Sequence, residues 1–231
     1  MTLLATLTGY TLALPLLATA LLIVAVDYVL GRRARLDRVL RGLTRVCLLA
    51  FGIRVRCAGP RRPGEAGIYV ANHVSIFDPL VLYLSLPKGT RGVELEDHFD
   101  WPIWGSIARM MGNIPISHRN TRSAVESLDR AAAVVRAGTP LVILPEGHRT
   151  RDGRLGRFMR GPFYLARRTR APIVPIALRG LYERKCVHSL RVSPGVVTVA
   201  FGRPIEPREY EELGERAIAR LVRGAIERLL A

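Results

Sequence analysis

Cysteine, aromatic residues and acidic side chains are all scarce in this chain of 231 residues. The three cysteines (Cys47, Cys57, Cys186) are scattered, with no CxxC pair. That spacing excludes a disulfide framework and a cysteine zinc site, and a reducing compartment is the simpler reading. No G-x-S-x-G elbow is present. The nearest stretch, Trp104-Gly105-Ser106-Ile107-Ala108, lacks the second Gly, which argues against a serine hydrolase. Acidic residues number 19 against 35 Lys+Arg, for a formal net charge of +16. Apolar residues are plentiful by contrast, at 49% with a mean hydropathy of +0.18. A chain this apolar is not disordered, and its length suits one domain with a short appendage. Greasy and strongly basic together leave membrane or nucleic acid as partners.

The placement of charge separates the two. Residues 1–31 carry one charged side chain, Asp27, whereas residues 32–62 carry ten Arg against Asp37, a balance of +9. A second block, 151–170, has seven Arg against Asp152, or +6. As a helix, residues 3–26 reach about 36 Å, against a hydrocarbon core of about 30 Å. A signal peptide competes, with Ala18-Thr19-Ala20 as a cleavage-like site, but no basic stretch precedes the run and Leu21 to Val24 continue it. The positive-inside rule keeps the following arginines on the cytoplasmic side, so the expectation is a cytoplasmic-membrane protein with its bulk facing the cytoplasm. Between Asp37 and Phe51, apolar positions recur at helical spacing while Arg38, Arg41 and Arg45 share another face. This is the pattern of a basic amphipathic helix on an anionic membrane surface. Nucleic acid is the weaker partner: no zinc-finger, RNP-like or helix-turn-helix signature is present, and aromatics are 6%. The expected organisation is a membrane segment over 1–31, an interfacial helix over 32–52 and a catalytic domain over 53–231.

From Ile53 onward short β-branched runs alternate with helical patterns. The spacing predicts strands over 53–58, 67–71, 90–95, 112–116, 140–144, 172–178 and 196–201, and helices over 79–86, 102–111, 121–137, 160–169 and 208–230. Such alternation implies an α/β domain with a mixed, largely parallel central sheet flanked by helices.

Chemistry-bearing residues gather after the strands. Asn72-His73-Val74-Ser75-Ile76-Phe77-Asp78 follows the strand GIYVA. A His leaving a strand presents its imidazole at the rim where such sheets bind ligands, and it can take a proton from a hydroxyl. Asp78, five residues on, can fold back to orient the ring. A bland alternative is a capping box, Ser75-x-x-Asp78, with Pro79 in the first helical turn. Leu144-Pro145-Glu146-Gly147-His148-Arg149-Thr150 ends a second strand, and its Arg suits an anionic group. Gly112 to Arg119 is another strand closing on a cation. Ala171 to Leu178 carries Pro172 and Pro175, so an edge, a bulge or a pocket wall is expected there.

The ordered set NHVSIFD, GNIPISHR, LPEGHRT and APIVPIAL resembles the four blocks of the glycerolipid acyltransferase family, the bacterial lysophosphatidate acyltransferases in particular, from about Ile53 to about Phe201. The resemblance implies transfer of an acyl chain from acyl-CoA or acyl-carrier protein to a free hydroxyl of a lysolipid, with no metal or other cofactor. It implies His73 as general base and Asp78 as its orienting partner. Glu146, Gly147, Arg149 and Arg119 would hold the acceptor's phosphate, and Pro172, Ile173 and Pro175 would line the acyl side. A backbone N–H near the helix start after Ser75 would serve the oxyanion. The lysolipid favoured is 1-acyl-glycerol-3-phosphate, giving phosphatidic acid. There are four departures, three of them in phosphate-facing blocks and so bearing on the acceptor: Leu144 replaces a usual Phe, His148 a usual Thr, Arg119 falls one residue late, and Phe158-Met159-Arg160-Gly161 stands where F-K-x-G is common. Another lysophospholipid or a lyso-ornithine lipid therefore stays open, as does a non-enzymatic basic membrane-surface protein.

Overall fold

A computed structural model describes residues 2–29, 33–60, 66–102, 104–117 and 120–231. Two helices come first, α1 (Thr2–Val29) and α2 (Arg33–Ala50). The alternating part follows as β1 (Ile53–Ala58), β2 (Ile68–Ala71), α3 (Asp78–Ser85), β3 (Arg91–Leu95), α4 (Trp104–Met110), β4 (Ile114–Ile116), α5 (Thr121–Arg136), β5 (Leu141–Ile143), α6 (Gly161–Thr169), β6 (Ile173–Arg179), α7 (Leu181–Arg184), β7 (Gly195–Phe201) and α8 (Glu215–Leu230). The seven strands form one sheet in the order β1-β7-β6-β2-β5-β3-β4. Every neighbouring pair is parallel except β6 with β7.

Helices cover both faces, so the central strands are apolar throughout rather than alternating. On β2, Ile68 and Val70 join a core with α5, α6 and α8, while Tyr69 and Ala71 face a second core with α2 and α3. Ile218, Val222 and Ile226 of α8 are fully buried at i, i+4 spacing, each contributing about 1.5–3 kcal/mol of burial. The helix expected over 208–230 is shorter than its pattern. Pro207–Glu209 form a separate 3-10 turn, and extended Gly214 is the N-cap from which α8 starts.

The two-proline strand is interior, not an edge. Ile173 pairs with Ile205 through Ile173 N–H at 3.0 Å, whereas the β7 ladder runs from Ile176 opposite Phe201. Those registers differ by one residue, which is a bulge. Pro175, whose nitrogen cannot donate, sits at that slip, and its carbonyl accepts Gly202 N–H at 2.8 Å.

Helices α1 and α2 pack against each other, and α1 docks on the domain by its first half. Thr6 Oγ1 accepts Val192 N–H at 2.9 Å, and the Tyr10 hydroxyl donates to Leu190 O at 3.1 Å. Tyr10 meets Phe51 edge-on at 5.1 Å, and Phe51 meets Phe77 at 5.0 Å. Among the described residues no helix is long and apolar enough to cross a membrane.

Candidate active site

His73 leaves the carboxyl end of β2, where β5 and β6 flank it in parallel. Asn72 makes that exit rigid. Its side-chain amide accepts Leu178 N–H at 2.7 Å and donates to Leu178 O at 3.3 Å, extending the β2–β6 ladder by one side chain. His73 Nδ1 then lies 2.5 Å from Asp78 Oδ2. Asp78 is fully buried and also accepts the N–H groups of Val74 at 2.7 Å and Ser75 at 3.0 Å. One carboxylate therefore both folds the 73–78 loop and orients the ring. Burial pushes the Asp78 carboxyl above its ordinary range, and the His73, Ser75 and Val74 hydrogen bonds pull the other way.

The capping box is only half formed: Asp78 accepts Ser75 N–H, but no side chain caps α3. Phe77 is the N-cap of α3 and carries no side-chain cap, and Ser75 Oγ accepts the Phe77 N–H rather than one inside the helix. With Nδ1 donating to Asp78, Nε2 carries the lone pair, and it has no hydrogen-bond partner among the described residues. Ile76 N–H is likewise unpartnered, whereas its neighbours from Val74 to Asp78 all donate within the loop.

The 144–150 turn clasps His73 by its backbone. Glu146 Oε1 accepts His73 N–H at 2.7 Å, and Thr150 N–H donates to His73 O at 2.8 Å. Glu146 Oε2 accepts Gly156 N–H at 2.7 Å. Both carboxylate oxygens are thus committed to backbone donors, and the side chain is buried. Burial also pushes the Glu146 carboxyl up, against the pull of the His73 and Gly156 N–H groups. Glu146 is placed as an anchor, not as a phosphate ligand, and a buried carboxylate would in any case repel a phosphate. Gly147 (φ +72°) makes the turn, and Arg149 follows next to Thr150. Arg149 forms no ion pair or hydrogen bond among the described residues. Nearby Lys185 is buried and donates to Cys186 O at 2.9 Å and Ser189 O at 2.5 Å. Burial lowers its pKa, and the Arg149 charge adds in the same direction.

His73, Asp78, Glu146, Gly147 and Arg149 therefore come together at one end of the sheet. Arg119 lies outside the described residues. Pro172 and Ile173 are not brought to this end. Ile173 pairs with Ile68, five residues back from His73 or about 16 Å along a strand, and both Ile173 and Pro175 are buried in the sheet. The part of β6 near His73 is Leu178. Sequence reasoning assigned no role to Asn72, Thr150 or Gly156. Asn72 carries a readable signal, since an amide at a strand end offers the donor and acceptor of a ladder residue. Gly156 carries none, because its partner stands ten positions earlier across a loop.

Fold and site define a class: an α/β domain with a carboxylate-held His at a strand end and, on the turn that clasps it, an Arg with no ion pair among the described residues. The chain belongs to the Acyltransferase family, whose model matches residues 52–179, more than half of its length. It is 32% identical over 169 residues to a 1-acyl-sn-glycerol-3-phosphate acyltransferase of Cocos nucifera, covering 73% of this chain and 55% of that one. A probable 1-acyl-sn-glycerol-3-phosphate acyltransferase of Mycoplasma pneumoniae is 29% identical over 202 residues, covering 80% and 74%. The chain thus spans between 33% and 57% of the length of the Cocos nucifera protein and other plant relatives it matches. In fold it is similar to the 1-acyl-sn-glycerophosphate acyltransferase PlsC of Thermotoga maritima, with a TM-score of 0.81 at 21% identity over 98% of this chain and 93% of the other.

Proposed function

We propose that the protein transfers an acyl chain from a thioester donor to the free hydroxyl of 1-acyl-glycerol-3-phosphate, giving phosphatidic acid. The observation that carries the reading is the His73–Asp78 pair at 2.5 Å, with Nε2 unengaged and Arg149 on the turn whose Thr150 N–H holds His73 O. His73 Nε2 takes the acceptor hydroxyl's proton as the oxygen attacks the thioester carbonyl. The tetrahedral oxyanion is met by Ile76 N–H. Collapse breaks the carbon–sulfur bond, and the leaving thiolate takes the proton from His73, which restores the base. A thioester is already activated, so a base, an oxyanion donor and placement suffice. Arg149, with Arg119, receives the acceptor's phosphate. The names of the relatives support this acceptor.

The same reading seats the protein on the anionic cytoplasmic face of a membrane. Leu3, Leu4 and Leu7 on α1 and Val46 and Leu49 on α2 are exposed. The helices are linked to the 73–78 loop through Tyr10, Phe51 and Phe77. Because α1 begins and α2 ends at the domain, the pair favours insertion into one leaflet over a span. A cysteine placed at position 2 would then be labelled only from the domain's side of sealed vesicles.

The functional test is release of free CoA from acyl-CoA on adding a lysolipid, across a panel of acceptors. Release with 1-acyl-glycerol-3-phosphate that disappears in His73→Ala is expected. Equal rates in both proteins would overturn the reading.

A further inference from the structure

A cavity of about 520 Å³ lies between the 155–160 loop and α8. Five arginines line it: Arg157 and Arg160 from the loop, and Arg216, Arg220 and Arg223 from α8. No carboxylate is among the described residues that line it. Arg157, Arg160, Arg216 and Arg220 are exposed and form no ion pair among the described residues. Arg223 is fixed: its guanidinium donates to Gly156 O, to Leu155 O at 2.9 Å, and meets Glu227 at 2.9 Å. Like charges gathered round one concavity repel, and a multivalent anion removes that cost. Guanidinium forks match phosphate oxygens in pairs.

The cavity is coupled to the base. Arg223 holds Gly156 O, Gly156 N–H holds Glu146 Oε2, and Glu146 Oε1 holds His73 N–H. Three hydrogen bonds thus separate the arginine cluster from His73. Its volume falls in the range of small-molecule pockets, whereas a docked protein needs a broad face of about 800 Å².

We propose that this cavity binds the adenosine 3′,5′-bisphosphate end of a coenzyme A thioester, leaving the pantetheine arm to carry the acyl group toward His73. The proposal rests on the acyl-transfer reading for its purpose, but binding of the nucleotide end is measurable without turnover.

The test titrates adenosine 3′,5′-bisphosphate into the full chain in detergent micelles by calorimetry. Wild type and His73→Ala are expected to bind alike, and Arg157→Glu/Arg220→Glu at least about tenfold more weakly, as loss of charge-assisted contacts implies. In turnover, the double variant raises KM for acyl-CoA about tenfold but not KM for acyl-4′-phosphopantetheine, which lacks the nucleotide. Wild-type binding of the bisphosphate by the double variant overturns the proposal. So does a KM that rises only with acyl-carrier protein, which makes the cluster a carrier-protein contact. Loss of anionic-vesicle binding with bisphosphate affinity intact overturns it as well, in favour of lipid. A wild type that binds the bisphosphate yet transfers no acyl group supports the site and removes the functional reading instead.

Discussion

Glu146 accepts the backbone N–H of His73 at 2.7 Å while its other oxygen takes Gly156 N–H at the same distance. The acid of one motif is therefore the fastening for the histidine of another. In Glu146→Gln one of the two N–H groups faces an NH₂ instead of an acceptor. The expected cost is about 1–3 kcal/mol, the price of an unsatisfied buried donor. Because burial raises the folded Glu146 carboxyl, the wild type loses stability as pH rises from the unfolded carboxylate range through the raised folded value, a slope that the non-titrating Glu146→Gln lacks. Denaturant unfolding of both proteins across acid and neutral pH measures this. In assays kcat should fall with KM for the lysolipid nearly unchanged. A rise in KM alone would return Glu146 to the acceptor's phosphate.

Asp78→Asn should separate orientation from proton capacity. The amide cannot accept from His73 Nδ1–H and from Val74 and Ser75 N–H as the carboxylate does, so the ring loses its fixed tautomer. We expect kcat to fall on the order of a thousandfold or more. Thermal unfolding and KM for the lysolipid identify the cause. A fall in kcat with KM retained in a folded protein fits an orienting role. Activity near wild type would show that Asp78 only builds the loop.

The strands and most helices were legible because burial on both faces leaves continuous β-branched runs, and because α5 and α8 carry strong 3.6-residue stripes. The contact of His73 with Asp78 was legible too, since five residues suffice for a turn that returns Asp78 to His73. What the pattern could not supply was long-range pairing. The resemblance made Glu146 a phosphate ligand, and no local pattern shows that Gly156 and His73 satisfy its carboxylate. The resemblance put Pro172 and Ile173 on the acyl side, and nothing in a run of apolar residues says which end of a parallel strand faces His73. The slip at Pro175 was foreseeable as a bulge, but its partner Gly202 was not.

Gly156→Ala tests the same fastening from the opposite side. A Cβ there would stand 2.7 Å from Glu146 Oε2, and the carboxylate, already held by His73, has little room to move. Loss of kcat and a lower Tm are expected. Adding Glu146→Asp, one methylene shorter, should restore part of the Tm, so the two changes will not be additive. Strict additivity in thermal unfolding would mean that the two residues are not coupled.

Gly9 tests whether the α1–α2 pair supports the site. A Cβ at Gly9 would come within 2.0 Å of the Phe51 ring. That ring is 2% exposed and wedged between Tyr10 and Phe77, so it cannot yield without disturbing the residue that precedes Asp78. Gly9→Val should therefore cost about 1–3 kcal/mol of overpacking and speed amide exchange in the first turns of α1. Because those turns carry exposed leucines, binding to anionic vesicles should weaken together with kcat. Weakened vesicle binding with full kcat on a micellar lysolipid would mean that the helices only tether the enzyme. A fall in kcat on the same micelles would mean that Phe51 and Phe77 also hold the catalytic loop in register.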